Sequence, residues 1–438
     1  MTGTAGTGAQ QAPRRPRRRL PEPLCDRRFL VVWAGQSCSQ FGSAVAPVAL
    51  TLAVVHNGGS AADLGVVLAV TVLCEALACL PGGVWADRLP RNLLMVGAEA
   101  ARTLAQLWLA LELVRGSTDT VRLAVAGACT GAASGIFQPA AAGLVQSLVP
   151  SDQLQQANAL MAVSQRVCAV TGPAVATTVA LAVGPGWGVG IDALTFAVSG
   201  VSLLTLPRNA GVTRSRGRFT AELAEGFREV RRRRWYWTNL ISHCLWNLGR
   251  CVFFTVGALV VLRSLGGELS WGVISQAGTA GALAGAVLAL RWRPRRPLVT
   301  ANVCMALGSV PLLLIGFHAP VAAIALAACA MNTALGLGGT LWDTAVQQRI
   351  PADRISRVEA FDWLTSTALT PAGMALAGPL AVAVGARTTL FAAAAVVALS
   401  SLGVLAVREV RTLGGWSAPR PDTEEDRTHG EEALGRPV

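Results

Sequence analysis

The sequence predicts an all-α integral membrane protein with twelve transmembrane helices in two pseudo-symmetric bundles of six. Three observations carry that prediction: a strongly apolar composition, a series of apolar runs of spanning length, and an internal repeat that divides the series in half. Of 438 residues, 52% are hydrophobic and only 14% charged. Mean hydropathy is +0.48, whereas soluble chains carry about 25% charged residues.

Runs of ~20 apolar residues cross a bilayer core as helices. They can be cut at 29–55, 64–86, 93–114, 122–142, 158–183 and 187–206, then at 238–262, 270–290, 298–317, 320–342, 358–383 and 387–407. Residues 1–28, with "PRRPRRR", read as a disordered basic cytoplasmic tail ahead of an uncleaved first span. Residues 29–206 form the N-terminal bundle, 238–407 the C-terminal bundle, and 408–438 a second disordered tail. The linker 207–237 ends in an amphipathic pattern with Phe219, Leu223, Phe227 and Val230 on one side, expected to lie on the inner leaflet.

All 37 basic residues are Arg, and 30 of them fall in segments on the side of the N-terminus against 4 in loops on the other. That asymmetry predicts a multi-pass plasma-membrane protein with both termini cytoplasmic. It accounts for the net charge of +12 without nucleic acid. Ten cysteines form no CxxC pair, and His56, His243, His318 and His429 are scattered. No metal or cofactor is expected. No Walker loop, nucleophile elbow or paired carboxylates point to ATP drive or to an enzyme.

The halves resemble each other. "VQSLVPSDQLQQANAL" at 145–160 recurs as "VQQRIPADRISRVEAF" at 346–361, an offset of 201, and Gly172 and Gly184 match Gly373 and Gly385. Trp85, Arg88 and Pro90 match Trp292, Arg295 and Pro297. Parallel six-helix repeats are a transporter architecture with the substrate path between them.

Between the second and third spans the chain reads Gly83-Val-Trp-Ala-Asp87-Arg88-Leu-Pro-Arg91. This loop resembles the G-x-L-A-D-R-x-G-R-R signature of the major facilitator superfamily, departing at Trp85, Pro90 and Asn92. In the fifth span, Cys168, Gly172, Pro173, Ala176 and Thr177 resemble the exporter element G-x-x-x-G-P-x-x-G-G, of which only Gly172-Pro173 survives. The nearest likeness is the branch of macrolide and enterobactin exporters. The resemblance implies alternating access and proton-coupled export of a small organic molecule (a drug, antibiotic or secondary metabolite). A proton-coupled uptake symporter and a non-transporting sensor stand as alternatives. It also implies a conformational latch at Gly83, Asp87, Arg88 and Arg91, with Asp87 near the positive end of the eleventh span and the two arginines on nearby carboxylates or helix-ending carbonyls. The Arg that many proton-coupled relatives carry in the fourth span is missing from "VAGACTGAASG".

Ionisable groups inside a span are costly and mark function. Glu75 lies about 16 Å from the inner end of its span, near the midplane. It, Glu99, Asp192 and Asp362 are the candidates for proton coupling. Glu99 and Arg102 share a helix face and suit mutual neutralisation, and Arg166 could join them. Asp192 falls toward the outer end of its span, where water is nearer. Arg250 lies deep in the seventh span, placed to face Glu75 or to attract an anion. Trp246, Asn247 and Phe254, with Trp363 and Thr367, are the pocket candidates. The expected partners are a small organic substrate, protons and the lipid bilayer, and the expected state is a monomer.

Overall fold

A computed structural model describes residues 21–117, 119–207, 219–367 and 369–413. The chain begins with α1 (Arg27–His56), α2 (Ala61–Arg88), α3 (Arg91–Val114), α4 (Thr120–Leu148), α5 (Leu154–Val183) and α6 (Gly186–Leu204). The linker helix α7 (Phe219–Arg232) follows. The second set is α8 (Arg234–Ser264), α9 (Gly267–Ala289), α10 (Pro297–Gly316), α11 (Val321–Arg349), α12 (Ile355–Val384) and α13 (Ala386–Ala406). The short α14 (Arg408–Thr412) ends it. Residues 1–20, 208–218 and 414–438 lie outside the described residues, and with them most of both expected tails.

Among the described residues, eleven helices are long and apolar enough to cross a membrane. The twelfth is α3, whose 24 residues carry Glu99, Arg102 and Glu112, all buried. At 1.5 Å per residue it reaches ~36 Å, enough to span. Its charges face other helices, so it crosses without reading as purely apolar.

Local chemistry sets the helix starts. The Asp26 carboxylate accepts from the Arg28 and Phe29 N–H groups and caps α1, and Ser60 with Asp63 forms a capping box on α2. Pro90 precedes α3 and Pro297 opens α10, so the two matching W-x-x-R-x-P turns launch their next helices alike.

Close contacts repeat between the halves as well. A Cβ on Gly172 would lie 2.6 Å from Ala44 Cβ, and one on Gly373 2.8 Å from Leu248 Cδ1, so α5 presses on α1 as α12 presses on α8. Gly184 ends α5 at φ 105°, ψ 149°, and Gly385 ends α12 at φ 89°, ψ 144°. A side chain would strain either position. The sequence repeat is therefore a repeat of backbone geometry.

Each half has its own core, around Phe29, Met95, Phe137, Leu144 and Leu203 in the first and Phe253, Ile274, Leu312, Ile315 and Leu390 in the second. Outward-facing Leu104, Leu181, Leu269, Leu326 and Leu399 are left exposed, as a lipid-facing surface requires.

Several features were not foreseen. α4 continues to Leu148 and α11 to Arg349, beyond the hydropathic limits, because their polar last turns meet the opposite half rather than lipid. A π-helical turn, Phe253–Gly257, interrupts α8, and α12 consists of two segments, Ile355–Thr367 and Thr370–Val384. The linker helix rests on protein: Val230 is buried, and Phe227 packs on Phe361 with ring centroids 6.1 Å apart. The Phe219 and Leu223 side chains lie outside the described residues.

Candidate functional site: a polar cavity and the charged cluster beneath it

Asp87 occupies the last turn of α2 and is 8% exposed. Its Oδ2 accepts from Arg357 Nε at 2.8 Å and its Oδ1 from Arg91 Nη2 at 3.2 Å. Arg91 also donates to the carbonyls of Gly143 at 2.7 Å and of Ala352. The partner of Asp87 is thus a guanidinium inside the first turn of α12, where the helix dipole alone had been expected. Gly83, one turn earlier, lets α2 come close: a Cβ there would sit 2.8 Å from the Ser356 carbonyl oxygen. Arg88 is the last residue of α2.

The ion pairs run on into α7. Arg357 Nη1 donates to Glu225 Oε2 at 3.1 Å, Arg354 Nη1 donates to Glu229 Oε2 at 3.1 Å, and Glu229 also holds Arg233. Burial pushes the Glu229 carboxyl up, but Arg233 and Arg354 outweigh it and hold it below its ordinary value. Three further polar side chains tie the halves together at this same face. Gln146 donates to the carbonyls of Gln347 and Ile350, Gln155 to those of Ala289 and Trp292, and Asn158 to Thr344 Oγ1 and Gln347 Oε1.

Above this closed end lie two adjoining cavities that share Gln36, Gln40, Gln138 and Gln165 as lining residues. One, of ≈ 370 Å³, contains Glu75 and Arg102. The other, of ≈ 320 Å³, contains Asn158, Asp343, Gln347, Glu359 and Trp363. The glutamines supply neutral donors and acceptors, and the carboxylates supply the charge.

The acidic candidates separate by environment. Glu99 is fully buried, 2.9 Å from Arg102 Nη2, and accepts from Ser199 Oγ at 2.6 Å. Arg102 is sandwiched between the Phe137 and Phe196 rings at 4.2 and 4.4 Å. Asp192 is 1% exposed, pressed toward Gly42 of α1, so the expectation of nearby water does not hold. Asp362 is held by three donors: Tyr236 Oη at 3.0 Å, Trp342 Nε1 at 2.7 Å and Ser366 Oγ at 3.0 Å. Glu75 differs. It faces the cavity and has no hydrogen bond or ion pair of its own among the described residues.

A third cavity, of ≈ 400 Å³, lies against the second half and contains Trp246, Asn247 and Phe254 together with Arg166 and Arg250. Arg166 therefore does not join Glu99 and Arg102, and Arg250 does not share a cavity with Glu75. Thr367 lines none of the three; its hydroxyl donates to the Trp363 carbonyl at 2.7 Å. Pro173 sits inside α5 directly after the Gly172 contact with α1.

Sequence reasoning missed Asp343 and Glu359. Both fell at the cut ends of hydropathic runs, while the helices extend past them. The outward signal was weak but present: an acidic residue four positions before Gln347 and another four before Trp363, each on a shared helical face.

Twelve crossing helices in two packed halves, with a polar cavity between them and a cluster of ion pairs at one end, are the architecture of a transporter. The Major Facilitator Superfamily model matches residues 32–367, and the chain belongs to that family. It is 25% identical to the multidrug efflux pump Tap of Mycobacterium tuberculosis (strain ATCC 25618 / H37Rv), over 90% of this chain and 96% of that one. It is also 25% identical to the MFS-type transporter YfiS of Bacillus subtilis (strain 168), over 82% and 87% of the two chains. Among solved structures it resembles a bacterial homologue of the iron transporter ferroportin in the outward-facing state, with TM-score 0.73 and 17% identity over 87% of this chain and 99% of that one. It also resembles the transporter FucP in the outward conformation, with TM-score 0.63 and 14% identity over 86% and 99%. At these identities the solved structures speak for the fold alone.

Proposed function

We propose that this protein is a proton-driven exporter of a small organic molecule, acting by alternating access as a monomer in the plasma membrane. The latch face and both termini are cytoplasmic on this reading, in keeping with the distribution of Arg. The cavity then opens outward while Asp87, Arg357 and their neighbours hold the inner side shut. The observation that carries the reading is the contrast among the carboxylates: Glu75 alone of the four candidates faces the cavity without a hydrogen bond or ion pair among the described residues. A carboxylate so placed can exchange a proton with the cavity and lose it when the opposite side opens. The likeness to an efflux pump supports outward transport, as does the surviving Gly172-Pro173 element.

The deciding experiment measures compound retention across a chemically broad panel, in cells with and without the protein, before and after collapse of the proton gradient. Lower retention that depends on both the protein and the gradient is expected. Higher accumulation in cells carrying the protein would instead make it an uptake symporter.

A further inference from the structure

The cavity against the second half has an unusual charge pattern. Arg166 reaches it from α5 and Arg250 from α8, while no Asp or Glu appears among its described lining residues. Arg166 Nε is shut off from solvent and has no hydrogen-bond partner. Arg250 Nε donates to Asn247 Oδ1 at 3.1 Å, which fixes the plane of the guanidinium and leaves its terminal nitrogens uncommitted among the described residues. Asn247 is itself pinned, donating to the His243 and Ser366 carbonyls at 3.1 and 2.9 Å. Arg250 is exposed to the cavity and Arg166 half-buried beside it, and two like charges facing one cavity whose described lining has no carboxylate favour an anion between them.

Apart from Asn332, which donates to the Ala328 carbonyl at 2.9 Å, the rest of the wall is aromatic and apolar. Trp246, Phe253, Phe254, Leu312, Met331 and Leu335 line it. The Phe253 and Phe254 rings meet edge to face, with centroids 5.3 Å apart. Both belong to the π-helical turn of α8, an irregularity that costs hydrogen-bond regularity and clusters at functional sites. Here it brings two consecutive aromatic residues to one cavity, three and four positions after Arg250.

We infer that this cavity is a binding subsite for an aromatic organic anion, whose carboxylate sits between Arg166 and Arg250 and whose ring packs on Trp246, Phe253 and Phe254. A guanidinium fork matches a carboxylate in geometry as well as in charge. The two arginines come from opposite halves of the transporter, so a bound anion bridges them. As a substrate subsite this rests on the transport reading; as a binding site it does not.

The test uses the full-length protein purified into lipid nanodiscs, with 2-naphthoate as the probe and its neutral carboxamide and its cationic aminomethyl analogue as comparators. Calorimetry should give saturable naphthoate binding at least about tenfold tighter than either comparator, the ratio for one good charged contact. Arg166→Gln or Arg250→Gln should each remove most of that preference. Arg166→Lys and Arg250→Lys, which keep the charge, should retain a preference for the carboxylate, and they decide the matter if a Gln variant fails to fold. Equal binding of naphthoate and naphthamide by the wild type, or naphthoate binding by both folded Gln variants at wild-type strength, would overturn the subsite. The retention assay is independent: it can fail while naphthoate binding persists, which would remove the export reading and leave the site.

Discussion

Asp87 and Arg357 stand 270 positions apart in the chain and meet at 2.8 Å, with their side chains 3% and 5% exposed. The contact joins the end of α2 in one half to the start of α12 in the other. It is a buried ion pair, the kind whose single-sided removal is most felt, because the survivor is left in a poorly solvated place. Arg357 is not left wholly alone, since Glu225 of α7 also binds it.

Asp87→Asn keeps the shape of the turn and loses the charge. A hydrogen bond to a charged group is worth about 1.5–3 kcal/mol, enough to move a two-state balance by roughly ten- to a hundredfold. Transport should fall at least tenfold by that arithmetic, while the amount of protein in the membrane stays near normal. Efflux rate set against immunoblot level measures both. A wild-type rate would remove Asp87 from the transport cycle.

Glu75→Gln fixes the neutral form of the cavity carboxyl. Gradient-driven transport should be abolished, with substrate binding and passive exchange preserved, while Glu75→Asp keeps part of the activity. Counterflow in proteoliposomes separates exchange from driven transport. If the Gln variant accumulates substrate against a proton gradient at the normal rate, coupling must be sought at Asp343 or Glu359.

The two matched glycines should not respond equally. An added Cβ at Gly172 meets backbone, with the Ala44 carbonyl carbon at 2.7 Å and its oxygen at 2.9 Å; at Gly373 it meets only the Leu248 and Cys251 side chains. Side chains can rotate away and a helix backbone cannot, so Gly172→Ala should lower the melting temperature more than Gly373→Ala. Thermal unfolding in detergent gives the comparison, and equal shifts would mean that α1 and α5 can move apart freely.

The contact between α7 and α12 should survive mild acid. Glu229 has its pKa lowered by Arg233 and Arg354, so its contribution to stability is present above the ordinary carboxyl value of about 4.3. That contribution is lost only as pH falls through the lower folded value. Amide protection factors in α7, taken against the intrinsic exchange rate at each pH, should hold from neutrality down to about pH 5 and fall below the ordinary value, exchange accelerating relative to the intrinsic rate. Acceleration already near neutral pH would assign the restraint on α7 to another group.

Topology has a direct check. Reporters fused at positions 215 and 425 should both behave as cytoplasmic. An external signal from either would invert the charge argument and make the latch face outer.

The spans were legible because lipid demands a long apolar run whatever its neighbours are, and α3 was legible despite Glu99 and Arg102 because their spacing puts them on one face. The charged turn at Asp87 and Arg91 was legible as a motif, but the residue it meets was not. Nothing near Arg357 in sequence distinguishes it from the other arginines of the basic face, and only the packing of α2 on α12 selects it. Asp343 and Glu359 were hidden for a different reason. Asp343 fell just past the 320–342 run and Glu359 second in the 358–383 run, each at the edge of a hydropathic cut, whereas a helix that borders a polar cavity carries on through both. Arg166 was visible as an intramembrane charge, but its direction was not, since a helix position fixes depth far better than it fixes the neighbour across a cavity.

The tight helix pairs share a spacing that the two halves encode differently. In the first half, Gly127, Gly131 and Gly135 of α4 lie against α2 around Thr71 and Glu75, and Gly82 of α2 returns the contact at Ile136. In the second half the weight shifts to the other helix: Gly281 and Gly285 of α9, the counterpart of α2, lie against Cys329 and Thr333 of α11, and Gly336 of α11 returns the contact at Ala282. What the halves have in common is the narrow gap between two axes, and either helix of a pair can supply the missing side chains that allow it. The likeness of the halves therefore resides here in a distance, which the residue letters alone do not show.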